Sequence, residues 1–92
     1  MNEIFLKNIN EMILSGEFIK AIATLDETIA VTPDDDTLYE IRGRIHWRIG
    51  NHTMAMSDYS KAVALNEKSP ARHLLEMAQS VTDFFNPDLL NP

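Results

Sequence analysis

Ser15-Gly16-Glu17-Phe18-Ile19-Lys20-Ala21-Ile22 and Ile49-Gly50-Asn51-His52-Thr53-Met54-Ala55-Met56 decide how this chain folds, because one lies on the other after a shift of 34 residues. The chain has three glycines, and two of them, Gly16 and Gly50, fall on each other in that shift. The same shift pairs Phe5 with Tyr39, Phe18 with His52, Ala21 with Ala55 and Ile22 with Met56. Further along it pairs Leu25 with Tyr59, Ile29 with Val63 and Val31 with Leu65. A period of 34 residues with helical spacing inside it is the mark of stacked helical hairpins.

Each unit reads as two helices. Gly16 and Gly50 end the first helix of each pair, where a left-handed residue costs least without a Cβ. Asn51 follows as a cap for the second helix of the second pair. That helix carries Met54, Ala55, Tyr59, Ala62, Val63 and Leu65 in a 3.6-residue rhythm, and its counterpart carries Phe18, Ala21, Ile22, Leu25, Ile29 and Val31. Pro33-Asp34-Asp35-Asp36 breaks the chain and caps the next helix. Ser69-Pro70 is a further start signal, with Ser as the cap and Pro in the first turn. The spacing predicts helices over about 3–14, 18–31, 36–49, 52–66 and 70–84, with bounds good to about 2–4 residues.

These residues resemble the tetratricopeptide repeat (TPR) family over residues 2–84. The second unit has Tyr39, Gly43, Gly50, Ala55, Tyr59 and Ala62 where the family has aromatic, small, Gly, Ala, aromatic and Ala. The first keeps Phe5, Gly16, Ala21, Leu25 and the closing Pro33, and departs at Ile9 and Thr28, where the family prefers small residues. The second unit has Glu67 in place of the closing proline. Phe5, Tyr39 and His73 fall in register, so the fifth helix looks like the opening of a third, truncated repeat. The fold class this implies is all-α, a right-handed TPR-like solenoid of two helical hairpins plus a fifth closing helix. Repeats run over about 2–35 and 36–69 and the closing helix over about 70–84. Together they make one domain over residues 1–85, followed by a tail over 86–92.

The chain has 92 residues, so it buries only roughly 60–65% of the surface its unfolded form exposes. It has no cysteine, hence no disulfide, no thiolate metal site and no cysteine nucleophile. No apolar run approaches a membrane-spanning length, the first residues lack a signal-peptide pattern, and a cytoplasmic location is expected. A net charge of −6 argues against a nucleic-acid partner held by phosphate neutralisation. His46, His52 and His73 stand where the family places packing aromatics, and no two share a helical face. Asp34-Asp35-Asp36 lacks the glycine and the closing glutamate of a calcium loop. No nucleophile elbow, phosphate loop or convergent carboxylate pair is present. The expectation is therefore no enzyme, no cofactor and no metal.

Charge is uneven. Residues 2–35 hold seven acids and two bases, residues 36–69 four acids and five bases, and residues 70–92 three acids and one base. Arg42, Arg44 and Arg48 all lie on the third helix. Thr37, Glu40, Arg44 and Arg48 follow i, i+3, i+4 spacing with Trp47 beside them. By resemblance this stripe faces the concave groove where TPR hairpins bind peptides. The matching residues of the first helix are Leu6, Asn10 and Ile13, with Glu3. Such a surface suits a protein or peptide partner with apolar side chains and a carboxylate. The chaperone-tail clamp of one TPR subclass is not matched: its positions read Leu6, Asn10, Ile41, Ala71 and Leu75, and Asn10 alone fits.

The fifth helix has more apolar surface than a terminal helix needs. His73, Met77 and Phe84 are expected to pack on the preceding repeat. Leu74, Ala78, Val81 and Phe85 form a second stripe at i, i+4, i+7, i+11. The tail adds Leu89 and Leu90 after Asn86-Pro87, a step that opposes helix. These residues predict self-association, by tail docking in one chain or in a homodimer, as the alternative to an interaction module.

Overall fold

The computed structural model describes residues 2–84, with side chains through Val81. It is all-α, with α1 Glu3–Leu14, α2 Phe18–Val31, α3 Asp36–Arg48, α4 His52–Leu65 and α5 Ala71–Phe84. Each helix packs on the next along the chain, making hairpins α1–α2 and α3–α4 with α5 closing on α4.

The helix ends follow from local residues. Asn2 caps α1, its Oδ1 accepting from the Ile4 amide at 2.7 Å. Asp35 does the same for α3 with the Thr37 amide at 3.0 Å, and Ser69 for α5 with the Ala71 amide at 3.1 Å. The first helix of each hairpin ends in the same double bond pattern. Gly16 N–H donates to Ile13 O and Glu17 N–H to Met12 O; Gly50 N–H donates to Trp47 O and Asn51 N–H to His46 O. Gly16 and Gly50 sit at φ +79 and +90, the left-handed conformation that this pattern requires. Asn51 occupies the cap position of α4, but its side chain makes no cap bond. Its amide is already spent on the end of α3, and its backbone (φ −86, ψ 67) is not the extended one that aims a cap side chain.

Two apolar clusters share Ile29. Ile9, Ala21, Leu25, Leu38 and Ile45 form the first, between α1, α2 and α3; Tyr39, Ala55, Tyr59, Ala62 and Ala71 form the second, between α3, α4 and α5. The hairpins differ in how they fill the same register. At the crossing of α3 and α4, Gly43 meets the Tyr59 ring, and a Cβ on Gly43 would lie 2.6 Å from a Tyr59 ring carbon. At the matching positions of the first hairpin stand Ile9 and Leu25, both fully buried. Bulk on both helices holds α1 and α2 apart, whereas the glycine lets α3 and α4 close to the tighter packing observed.

On α5 the apolar sides are the reverse of the sequence expectation. Ala71, Leu74, Leu75 and Ala78 form the stripe on α4 and α3, while His73 and Met77 are exposed. The two alanines permit close approach; the bulkier Met77, where α3 has Gly43, stays outside. His52 is also exposed, its ring stacked on Trp47 at 4.0 Å, and of the three histidines His46 alone is buried. Phe85, Leu89 and Leu90 lie outside the described residues.

Candidate functional site

The residues of α3 point in several directions, and each direction has a different neighbour. Leu38 and Ile45 enter the first core and Tyr39 the second, where its hydroxyl donates to the Pro33 carbonyl at 2.8 Å and pins the loop before α3. Arg42 and His46 enter a crevice of about 410 Å³ with Asp26 of α2, Asp58 of α4, Ile22 and Met54. Trp47 borders a second crevice, of about 180 Å³, with Tyr59 of α4 and Leu74, Met77, Ala78 and Val81 of α5.

The larger crevice is polar, but its groups satisfy one another. Arg42 gives Nε to Asp58 Oδ2 at 2.9 Å, Nη2 to Asp58 Oδ1 at 2.7 Å and Nη1 to Asp26 Oδ1 at 2.9 Å. The fork to Asp58 is bidentate and nearly buried on the acid side, so the pair is strong. The Asp58 hydrogen bond is the main force holding the guanidinium proton above its ordinary value, against desolvation; Asp26 adds to it. The result is an electrostatic staple across α2, α3 and α4. His46 Nε2 lies 4.0 Å from Asp58 Oδ2, beyond hydrogen-bond reach, and its Nδ1 is buried without a partner. Asp58 spends both oxygens on Arg42, so it does not orient the imidazole as a general base would need. Among the described residues no group of three or more His, Asp or Glu side chains is arranged to hold a metal ion.

This cluster was not visible in the sequence reading, which put Arg42 with the other arginines and His46 with packing aromatics. Its one signal is spacing: Asp26 and Asp58 stand 16 residues to either side of Arg42.

The smaller crevice brings together two sets that the sequence reading kept apart: Trp47 from the groove stripe, and Leu74, Ala78 and Val81 from the self-association stripe. Its walls are apolar, and Met77 and Val81 remain 52% and 43% exposed beside it. Arg44 is half exposed and makes one bond, to Glu40 at 3.3 Å. Both charges are felt at Tyr59, whose phenol is pushed above its ordinary value first by burial; Arg44 opposes the shift and Glu40 adds to it. Arg44 therefore stands near the crevice through Tyr59. Arg48 goes elsewhere, its guanidinium 5.1 Å from the centre of the Phe18 ring. Leu6, Asn10, Ile13 and Thr37 do not line this crevice; Ile13 packs on the first core, Leu6 and Thr37 are half-buried and Asn10 is exposed.

No family model matches the chain, and no curated protein matches it. Among solved structures, the solution NMR structure of Bacteroides fragilis protein BF1650 matches with a TM-score of 0.83 at 30% identity, over 99% of this chain and 91% of that one. The chain belongs to the same family as that protein. Both follow the same helical path, so the crevice between α3, α4 and α5 sits on a scaffold the two share. No described helix is long and apolar enough to cross a membrane.

Proposed function

We propose that the chain is a non-enzymatic protein-interaction module of the TPR type, and that it recognises a peptide or partner surface at the Trp47–Val81 crevice. The reading rests on one observation: an open apolar crevice lined by the chain's sole tryptophan, bordered by half-exposed Met77 and Val81 and adjoining the charge of Arg44. Exposed apolar side chains gathered round a tryptophan are the usual make-up of a recognition hot spot. The 34-residue period and the glycine-ended helices support the TPR assignment. The polar crevice around Arg42 does not compete as a site, since its charges are consumed by one another.

The partner chemistry follows from the walls: one or two aliphatic or aromatic side chains to fill the crevice, with a nearby carboxylate for Arg44. The test is peptide selection from a displayed random library on the intact protein, repeated on Val81→Asp and Arg44→Glu. Selected peptides should carry an acidic residue beside an aliphatic one. They should lose binding to both variants, more severely for Val81→Asp. Peptides that bind both variants as well as the parent protein would reject the site.

A further inference from the structure

The chain has two tyrosines, and their hydroxyls are engaged differently. Tyr39 donates to the Pro33 carbonyl at 2.8 Å. Tyr59 is 3% exposed, yet its hydroxyl makes no hydrogen bond among the described residues. Among those residues the side-chain polar atom sealed from solvent without a partner is His46 Nδ1, so Tyr59 Oη keeps an opening. Tyr59 lines the Trp47–Val81 crevice. Packing does not call for the hydroxyl, since Leu25 fills the same register in the first hairpin. A hydroxyl drawn largely out of water with no partner costs free energy, so its presence asks for an acceptor.

Glu40, Gly43, Arg44 and Trp47 follow i, i+3, i+4, i+7 spacing and share one stripe of α3. The Tyr59 ring crosses that stripe over Gly43, with two ring carbons 2.6 and 2.8 Å from where a Cβ would be. The glycine thus lets the phenol reach across α3. Arg44 and Glu40, on the same stripe, both act on the phenol. The hydroxyl therefore lies where the apolar crevice meets this ion pair. Resting on the interaction reading of that crevice, we propose that Tyr59 is its specificity-determining residue: Oη donates to a main-chain carbonyl of an extended peptide whose adjoining apolar side chain fills the crevice.

The crevice, about 180 Å³, is smaller than the roughly 300–1,000 Å³ of a small-molecule site and suits a single side chain. A ligand carboxylate at the hydroxyl would meet Glu40, whose side chain is 13% exposed and bonded to Arg44 at 3.3 Å; a neutral acceptor meets no such repulsion. The charge of the ligand goes instead to the half-exposed Arg44. A main-chain carbonyl is the neutral acceptor that every residue carries, attached to the same Cα as the seated side chain. In a helix that carbonyl already accepts the amide four residues on, whereas in an extended segment it is free. The hydroxyl therefore favours an extended partner over a docked helix.

The test measures the peptides selected on the intact chain against Tyr59→Phe, which keeps the ring over Gly43 and removes Oη. Affinity should fall about 3- to 10-fold, as expected for one neutral hydrogen bond, with the thermal midpoint at neutral pH unchanged. Replacing each peptide amide by an ester in turn weakens one carbonyl at a time. One such ester should weaken binding to the parent chain and lose most of its effect on Tyr59→Phe, the coupling that a double-mutant cycle reads. A lactam between side chains four residues apart, which holds the same peptide helical, should weaken binding. Equal affinity for Tyr59→Phe and the parent, no ester that couples to Tyr59, or a lactam peptide that binds as well as the open one would each overturn the proposal. So would a lowered thermal midpoint in Tyr59→Phe, which would assign the hydroxyl to the fold. Peptides that fail to bind Val81→Asp yet bind Tyr59→Phe as well as the parent leave the interaction reading standing without this bond; a selection that returns no peptide overturns both.

Discussion

Gly43 has no room for a side chain. A Cβ there would meet two Tyr59 ring carbons at 2.6 and 2.8 Å, in a buried site where the ring cannot swing clear. Gly43→Ala should therefore cost about 1–3 kcal/mol, despite alanine's better helix propensity, and chemical denaturation would measure it. The staple yields a graded pair of predictions. Asp58 is nearly buried and holds Arg42 by two bonds, so Asp58→Ala should cost about 2–4 kcal/mol. Asp26 holds it by one bond and is 55% exposed, so Asp26→Ala should cost under about 0.5 kcal/mol.

At Tyr59 the phenol ionises more readily in the unfolded chain than in the fold, because burial disfavours the phenolate. Its contribution to stability is intact below about pH 10 and is lost as pH rises through the folded-state value. Thermal melts across that range should show a decline that is shallower in Tyr59→Phe. Gly43 was legible in the sequence because the repeat pattern asks for a small residue there. The staple was not, because Asp26 and Asp58 occupy different positions within their repeats and the period does not pair them.

The helices were legible almost to the residue, because α1, α3 and α5 carry side-chain caps and α2 and α4 start directly after the glycines that end α1 and α3. Two glycines in left-handed conformation close α1 and α3, and the Asn2, Asp35 and Ser69 side chains open α1, α3 and α5. What the pattern left open was the facing of α5. Both of its apolar stripes fit a 3.6-residue rhythm, and rhythm alone does not say which one meets α4. Residue size decides it, since Ala71 and Ala78 let the backbones approach and Met77 does not.

Size also separates the two hairpins. Ile9 against Leu25 spaces α1 from α2, while Gly43 against Tyr59 brings α3 onto α4. Native-state hydrogen exchange should accordingly find the amides of α1 opening at lower free energy than those of α3 and α4. Equal protection in all four helices would contradict this account of the packing.

Across the whole molecule the net charge of −6 describes no particular surface. The three arginines of α3 serve three ends: Arg42 in the staple, Arg48 over Phe18, and Arg44 near the crevice with one weak bond. Spacing put Trp47 on one stripe of α3 and Leu74, Ala78 and Val81 on one stripe of α5. Their meeting was not readable, because it depends on how two helices 34 residues apart are set against each other by α4. That meeting produces the crevice of Trp47, Tyr59, Leu74, Met77, Ala78 and Val81 on which the functional reading stands.

The most direct measurement of that reading is Trp47 emission during titration with a short peptide carrying an acidic residue beside leucine. The titration uses the intact chain, whose sole tryptophan is Trp47. The account predicts a saturable blue shift that is weakened in Arg44→Glu and abolished in Val81→Asp. Emission that stays unchanged to saturating peptide, or a shift that persists undiminished in Val81→Asp, would contradict it.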